Sequence, residues 1–238
     1  MNQALRFNRI LLKLSGEALA GEKGHGIDSS VLTAMAKEIA SVVRSGVQVA
    51  LVIGGGNLVR GISASAGGMN RAAGDSMGML GTVMNGIAMQ DALDKQGINS
   101  VVMSAICMEP ICEFFDRRKA ISLLNSGNVV IFSAGTGNPY FTTDSAAALR
   151  AIETECNVIM KATKVDGIYS ADPVKDPTAT RFDSITYREV IAKGLQVMDT
   201  AAVALCMEQN MPILVFKMTE GNLTKVITEN NLGTLVHC

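Results

Sequence analysis

The 238-residue chain has no tryptophan, only 4% aromatic residues and two histidines. So few flat side chains exclude a base-stacking platform for single-stranded nucleic acid. Excess charge of one sign is missing too. With 21 basic and 22 acidic residues the net charge is -1, which leaves no electrostatic footprint for a polyanion. The cysteines (Cys107, Cys112, Cys156, Cys206 and Cys238) are odd in number and scattered, without a CxxC pair. They read as reduced thiols of a cytosolic protein, not as a disulfide framework or a zinc site. No apolar run approaches a membrane span. Lys13 interrupts the run Ile10–Leu12 behind Arg6 and Arg9, so this stretch does not read as a signal peptide. The GxxxxGK[ST] motif is also missing, which excludes a P-loop kinase. The expectation is one cytoplasmic domain, without nucleic-acid or membrane partners, whose 48% hydrophobic residues suffice for a large core.

What is present is an alternation of strand and helix patterns. Arg9–Leu14 reads as the first strand, Asp28–Ser45 as a helix and Val47–Ile53 as a continuous apolar strand covered on both faces. A long helix is expected over Asp75–Gln96, opened by Asp75, with Met77, Leu80, Met84, Ile87, Ala88 and Leu93 along an apolar side. Those methionines read as core or subunit-interface filler. Strands Ser100–Ala105, Val129–Phe132, Val158–Ala162 and Pro212–Phe216 follow. Helices are expected at Arg117–Asn125, from Asp144 or Ser145 to Glu155, at Asp199–Asn210 and at Asn222–Glu229, with a last strand at Gly233–Val236. Ile185–Ala192 reads as a strand or a helix start, and Gly61–Gly74 as a flexible small-residue stretch. The alternation predicts a three-layer α/β/α sandwich around a mostly parallel sheet.

Functional chemistry is expected where strands end. Ser15-Gly16, Gly54–Gly56 and Gly135–Gly137 are three glycine-bearing exits, and ligands of open α/β sheets collect at that edge. The richest stretch is Val129–Leu149, VVIFSAGTGNPYFTTDSAAAL. Its glycines permit close backbone approach. Its hydroxyls and amide donate hydrogen bonds, and the following helix start favours an anion. Three consecutive glycines at Gly54–Gly56 exceed what a tight turn needs and suggest a bulky group against the backbone. Lys13 and Lys161 sit at strand ends, and Asp144, Asp172 and Asp199 can approach the same edge. Lys13 reads equally as a cation facing an anion or as an edge-strand lysine in water. Arg60 reads as a phosphate fork or a surface ion pair, Asp75 as an N-cap or a sugar-hydroxyl acceptor, Tyr169 as a nucleobase neighbour or a packed ring. His25, in the loop Gly21–Gly26, reads as solvated.

A bare carboxylate about 4 Å from a phosphate costs roughly 4 kcal/mol at an effective dielectric near 20. Such aspartates persist only with a lysine or Mg²⁺ between. Positioning donors, cations on the moving group and carboxylates that hold the cations are the set phosphoryl transfer requires.

Taken together, LLKLSGEAL (Leu11–Leu19), VIGGGNLVRG (Val52–Gly61), GDSMGMLGTVMNG (Gly74–Gly86), SAGTGNPYFTTDSAA (Ser133–Ala147), KATKVDGIYSADPVKDPTAT (Lys161–Thr180) and VMDTAA (Val197–Ala202) resemble the signature blocks of the amino acid kinase superfamily and, within it, of the bacterial uridylate kinases. The resemblance implies ATP-dependent conversion of UMP to UDP with Mg²⁺, in de novo pyrimidine synthesis. It implies one domain, with an acceptor-nucleotide part over roughly residues 1–160 and an ATP part over 161–238. Lys13, Leu14, Ser15 and Gly16 would contact ATP phosphates, with Lys13 bridging donor and acceptor. Gly56, Arg60 and Lys161 would meet the same phosphates. Thr163, Tyr169 and Asp172 would line the ATP nucleoside pocket. UMP would be held by Gly55 and Asp75 and enclosed by Thr136, Gly137, Asn138, Pro139, Tyr140, Phe141, Thr142 and Thr143. Asp144 and Asp199 would orient Lys13 and the metal, which is carried mainly by the substrate phosphates. A cytoplasmic homohexamer is implied, inhibited by UTP and activated by GTP, with Gly21, Glu22, Lys23, Gly24, His25 and Gly26 as the GTP-responsive loop. No family signature is found in Ile106–Asp116.

Overall fold

A computed structural model describes residues 5–59, 68–173 and 175–238. Arg60 and the first half of the Gly61–Gly74 stretch therefore lie outside the described residues. Among the described residues nine strands form one sheet in the order β4-β3-β5-β2-β1-β6-β8-β9-β7. They are β1 (Arg9–Leu14), β2 (Gln48–Ile53), β3 (Ser100–Ser104), β4 (Glu113–Phe114), β5 (Val129–Ser133), β6 (Val158–Thr163), β7 (Ser184–Thr186), β8 (Ile213–Lys217) and β9 (Thr234–His237). The strands from β4 through β8 pair in parallel. β9 runs antiparallel to β8, and β7 pairs parallel with β9.

The helices are α1 (Ser29–Arg44), α2 (Arg71–Asp94), α3 (Arg117–Asn125), α4 (Thr143–Glu153), α5 (Tyr187–Ala192), α6 (Thr200–Glu208) and α7 (Asn222–Val226). Alternate residues of each strand feed two cores. Ile10, Leu12 and Leu14 pack with α1, α2 and α7. Leu11 packs on the other face with α3, α4, α5 and α6. The expected α/β/α sandwich is thus observed.

Most element bounds follow the sequence reading, and the departures have physical reasons. α2 begins four residues before Asp75, because the Asn70 side chain accepts from the Ala72 N–H and caps it there. Its Met77, Leu80, Met84 and Ile87 side is exposed; the buried side carries Gly74, Gly81, Thr82, Asn85 and Gly86 beside Met79, Val83, Met89 and Leu93. The first half of the Gly21–Gly26 segment belongs to a 3-10 stretch over Gly16–Lys23 that is kinked at Gly21, with His25 exposed as expected. Ile185–Ala192 is divided between β7 and α5, the latter closed by a Thr186–Glu189 capping box. All five cysteines are free. Burial pushes the Cys156 thiol up to about 11 and the Cys206 thiol up to about 12, so neither forms a reactive thiolate near neutrality.

Candidate active site

The exits of β5, β2 and β1 are neighbours on one sheet edge because these strands are adjacent and parallel. Strand alternation fixes what joins them. Lys13 shares a face with Leu11, and Lys161 shares the same face with Ile159. The two lysines are register partners on adjacent strands. At about 5 Å and an effective dielectric near 20 their mutual repulsion is about 3 kcal/mol. Asp144, in the first turn of α4, relieves it: Oδ1 lies 2.7 Å from Lys13 Nζ and Oδ2 accepts from Lys161 Nζ at 2.9 Å. The Lys13 contact is an ion pair without hydrogen-bond alignment. Lys161 also donates to the Val197 carbonyl at 2.6 Å.

Lys13 is only 8% exposed, so the buried cation facing an anion is realised and the edge-strand lysine in water is not. Burial alone would push the Asp144 carboxyl up, but the two ammonium groups outweigh it and hold it below the usual carboxylate range. Burial pushes Lys161 down despite Asp144. The two ammonium groups share the one carboxylate they touch, with Asp199 attracting Lys161 from farther off, an arrangement suited to an anion that reaches the rim.

Two cavities flank the cluster. One of about 180 Å³ is lined by Gly55, Gly56, Asp75, Thr136, Asn138, Phe141, Thr142 and Thr143, together with Val59, Arg71, Gly78, Met79, Thr82 and Gly135. The other, about 600 Å³, is lined by Lys161, Thr163, Tyr169 and Asp172, with Val165, Gly167, Ile168, Ala171, Pro173, Gly194–Val197 and Val215. Lys161 borders the larger, and Thr143, next to Asp144, borders the smaller. In the larger cavity Thr163 Oγ1 donates to the Val165 carbonyl at 2.6 Å, and the Tyr169 hydroxyl donates to Asp166 at 2.7 Å.

Several expectations need correction. Asp75 does not cap α2: it accepts from Arg71 Nε, four residues earlier, at 2.9 Å and from the Tyr140 N–H at 2.9 Å. Asp199 makes no direct contact with Lys13. It caps α6 through the Ala202 N–H and accepts from the Thr142 and Ser145 hydroxyls, so it ties α6 to the start of α4. Gly137, Pro139 and Tyr140 are not among the residues lining the smaller cavity. Tyr140 instead bends the loop at φ +73°, and Gly137 sits where a Cβ would lie 3.1 Å from the Ala105 carbonyl oxygen. The glycine run also has a different cause at two of its three positions. A Cβ on Gly55 would meet the Gly78 carbonyl oxygen at 2.5 Å, and Gly54 presses on the Gly16 backbone. Protein backbone, not ligand, demands these two. Gly56 has ordinary space around it and borders the cavity.

Sequence reasoning missed Arg71, Thr82, Asn85, Ser145 and Gly194–Val197. The i,i+4 spacing of Arg71 and Asp75 was a usable signal. Thr82, Asn85 and Ser145 are short polar residues inside helices and carry no pattern of their own.

A cationic cluster between two cavities on the C-terminal edge of a doubly covered parallel sheet, without a P-loop, defines a kinase-type phosphotransferase. The model of the amino acid kinase family matches residues 8–217. A uridylate kinase of Pseudomonas paraeruginosa is 59% identical over 97% of this chain and 95% of its own length, and one of Phocaeicola vulgatus is 56% identical over 98% and 99%. Among solved structures, the UMP kinase from Bacillus anthracis superposes with a TM-score of 0.94 at 35% identity, covering 97% of this chain and 96% of that one. The uridylate kinase from Archaeoglobus fulgidus superposes at 0.72 with 29% identity, covering 95% and 99%. The chain belongs to the amino acid kinase family and, within it, to the bacterial uridylate kinases.

Proposed function

We propose that this chain transfers the γ-phosphoryl group of ATP to UMP, giving UDP and ADP in de novo pyrimidine synthesis. The carrying observation is the Lys13–Asp144–Lys161 cluster, with one cavity on either side. A phosphate oxygen of UMP attacks the γ-phosphorus while the bond to the β-phosphate oxygen breaks. The acceptor is already ionised, so no general base is needed. Lys13 meets charge developing between donor and acceptor, Lys161 steadies the ATP phosphates, and Asp144 holds both ammonium groups in place.

The smaller cavity takes UMP, with Asp75 accepting from the ribose and Gly55, Thr136, Asn138, Phe141, Thr142 and Thr143 around it. The larger cavity takes the ATP nucleoside against Thr163, Tyr169 and Asp172. Backbone at Leu14, Ser15, Gly16 and Gly56 faces the ATP phosphates; Arg60, expected from the resemblance to meet the same phosphates, lies outside the described residues. An acceptor part over residues 1–160 and an ATP part over 161–238 are supported by the cavity linings: the smaller draws on residues up to Thr143, the larger on Lys161 onward.

Among the described residues no three histidine, cysteine, aspartate or glutamate side chains gather as a metal ligand set. Asp144 is occupied by two lysines, and Asp199 by two hydroxyls and a backbone N–H. This donor chemistry fits a hydrated Mg²⁺ carried mainly on nucleotide phosphates, where it would neutralise charge. The exposed Met77, Leu80, Met84 and Ile87 are the apolar contact of a cytoplasmic homohexamer. No described helix is long and apolar enough to cross a membrane. The Gly21–Gly26 segment carries a GTP response, with UTP as inhibitor. Its support is physical proximity: the Gly26 N–H donates to the Asn57 carbonyl, one residue beyond Gly56.

ADP release measured across nucleoside monophosphates, with and without GTP, tests the reading. UMP is expected to be strongly preferred over CMP. Equal rates reassign the substrate, and ADP release independent of any monophosphate removes the transfer.

A further inference from the structure

We propose that Thr82 and Asn85, two buried polar residues one turn apart on α2, are positioning residues that aim the β5 and β2 exits at the acceptor phosphate. The proposal rests on the reading of the smaller cavity as the acceptor site. Asn85 is 0% exposed, and an enclosed amide is costly unless its bonds are made. Its Nδ2 donates to the Gly54 carbonyl and to Asn57 Oδ1, both at 2.7 Å, and Asn57 Nδ2 donates back to Asn85 Oδ1 at 3.1 Å. Asn57 Nδ2 also donates to the Gly26 carbonyl at 2.7 Å.

The consequence is geometric. The Gly54–Gly55 peptide is trans, so its C=O and N–H point in opposite directions. With the Gly54 carbonyl drawn inward to Asn85, the Gly55 N–H is turned away from α2's amide, and Gly55 borders the smaller cavity. Thr82 does the matching work on the next exit. Its Oγ1 accepts from the Ala134 N–H at 2.7 Å while the Ser133 carbonyl accepts from the Ala105 N–H at 3.1 Å. That peptide is fixed from both sides just before Ala134 and Gly135 reverse the chain at φ +60° and +59°. Both contacts need α2 to lie very close, which is why a Cβ on Gly86 would meet Ser133 Oγ at 2.5 Å and one on Gly55 the Gly78 oxygen.

The test compares Asn85→Asp, Thr82→Val and Thr82→Ser with the unaltered full chain, by steady-state kinetics and by amide NMR of Gly55 during UMP titration. Asn85→Asp removes the donor and keeps the volume; Thr82→Ser keeps the hydroxyl that Thr82→Val removes. We expect kcat to fall up to about 10²-fold in Asn85→Asp and Thr82→Val, with KM for ATP nearly unchanged and Thr82→Ser close to the unaltered protein. The Gly55 amide should respond to UMP in the unaltered protein and lose that response in Asn85→Asp. A preserved Gly55 response with unaltered kcat in Asn85→Asp overturns the positioning role. Should Asn85→Asp fail to fold, equal kcat in Thr82→Val and Thr82→Ser overturns it. A Gly55 amide in the unaltered protein that ignores saturating UMP overturns the acceptor-site reading itself.

Discussion

Asp144 is the residue on which the site's electrostatics converge. It offsets the repulsion between two lysines that strand register forces together. Asp144→Asn leaves two largely buried ammonium groups without their anion. A loss of roughly 3–5 kcal/mol in unfolding free energy is expected from denaturant titration, as for other broken buried pairs. The pH dependence has a definite sign. The folded-state carboxyl is held below its ordinary value of 3.8, so its contribution is complete above about pH 4 and is lost as pH falls through the lower folded value. Stability curves of the unaltered chain should therefore drop below about pH 4 more steeply than those of Asp144→Asn. Lys13 and Asp144 were both legible in the sequence: a lysine inside an apolar strand is a local anomaly, and an aspartate that opens a helix just after a glycine-bearing strand exit lies where ligands collect. Their pairing was not legible: it depends on β1, β6 and α4 meeting in space. Asp199 shows the same limit, since its place at the start of the helix expected over Asp199–Asn210 was readable and its bond to Thr142 was not.

At the scale of elements, α2 departs most from its sequence reading. Apolar periodicity pointed to Met77, Leu80, Met84 and Ile87, yet the face turned to the sheet is lined with glycine, threonine and asparagine as well as larger apolar side chains. Periodicity finds a greasy stripe; it does not say whether the stripe meets the protein's own core or another surface. The buried stripe is small because the β2 and β5 exits lie against it. Gly78 is different from its neighbours: a Cβ there meets nothing within 4 Å, and the residue borders the smaller cavity. Gly78→Ala should add roughly 0.5–1 kcal/mol of stability, the ordinary gain for alanine over glycine within a helix. It should also raise KM for UMP by narrowing the cavity. Chemical denaturation and initial-rate kinetics on one variant check both halves. The glycine exits teach the converse lesson. Gly54 and Gly55 stood out correctly as special positions, but the sequence could not reveal that the neighbouring object was backbone from Gly16 and Gly78.

For the whole molecule, the order of strands decides function. Placing β1 between β2 and β6 sets the smaller cavity beside the larger one with the lysine pair at their boundary. The alternation of elements made the layers readable, while the two reversed strands β9 and β7 at the edge depend on pairing partners far apart in the chain. The exposed stripe of α2 gives the assembly prediction. Leu80→Glu puts charge into that contact, and light scattering should find a smaller species than the hexamer expected of the unaltered chain; an unchanged mass would place the contact elsewhere. The most direct test of the account as a whole is the UMP-dependent rate of ADP release by Lys13→Ala. Loss of one preorganised charge contact predicts a fall of about 10²–10³-fold in kcat, in a protein that still unfolds cooperatively. Turnover within a few-fold of the unaltered chain would show that the lysine cluster is not where the phosphoryl group passes.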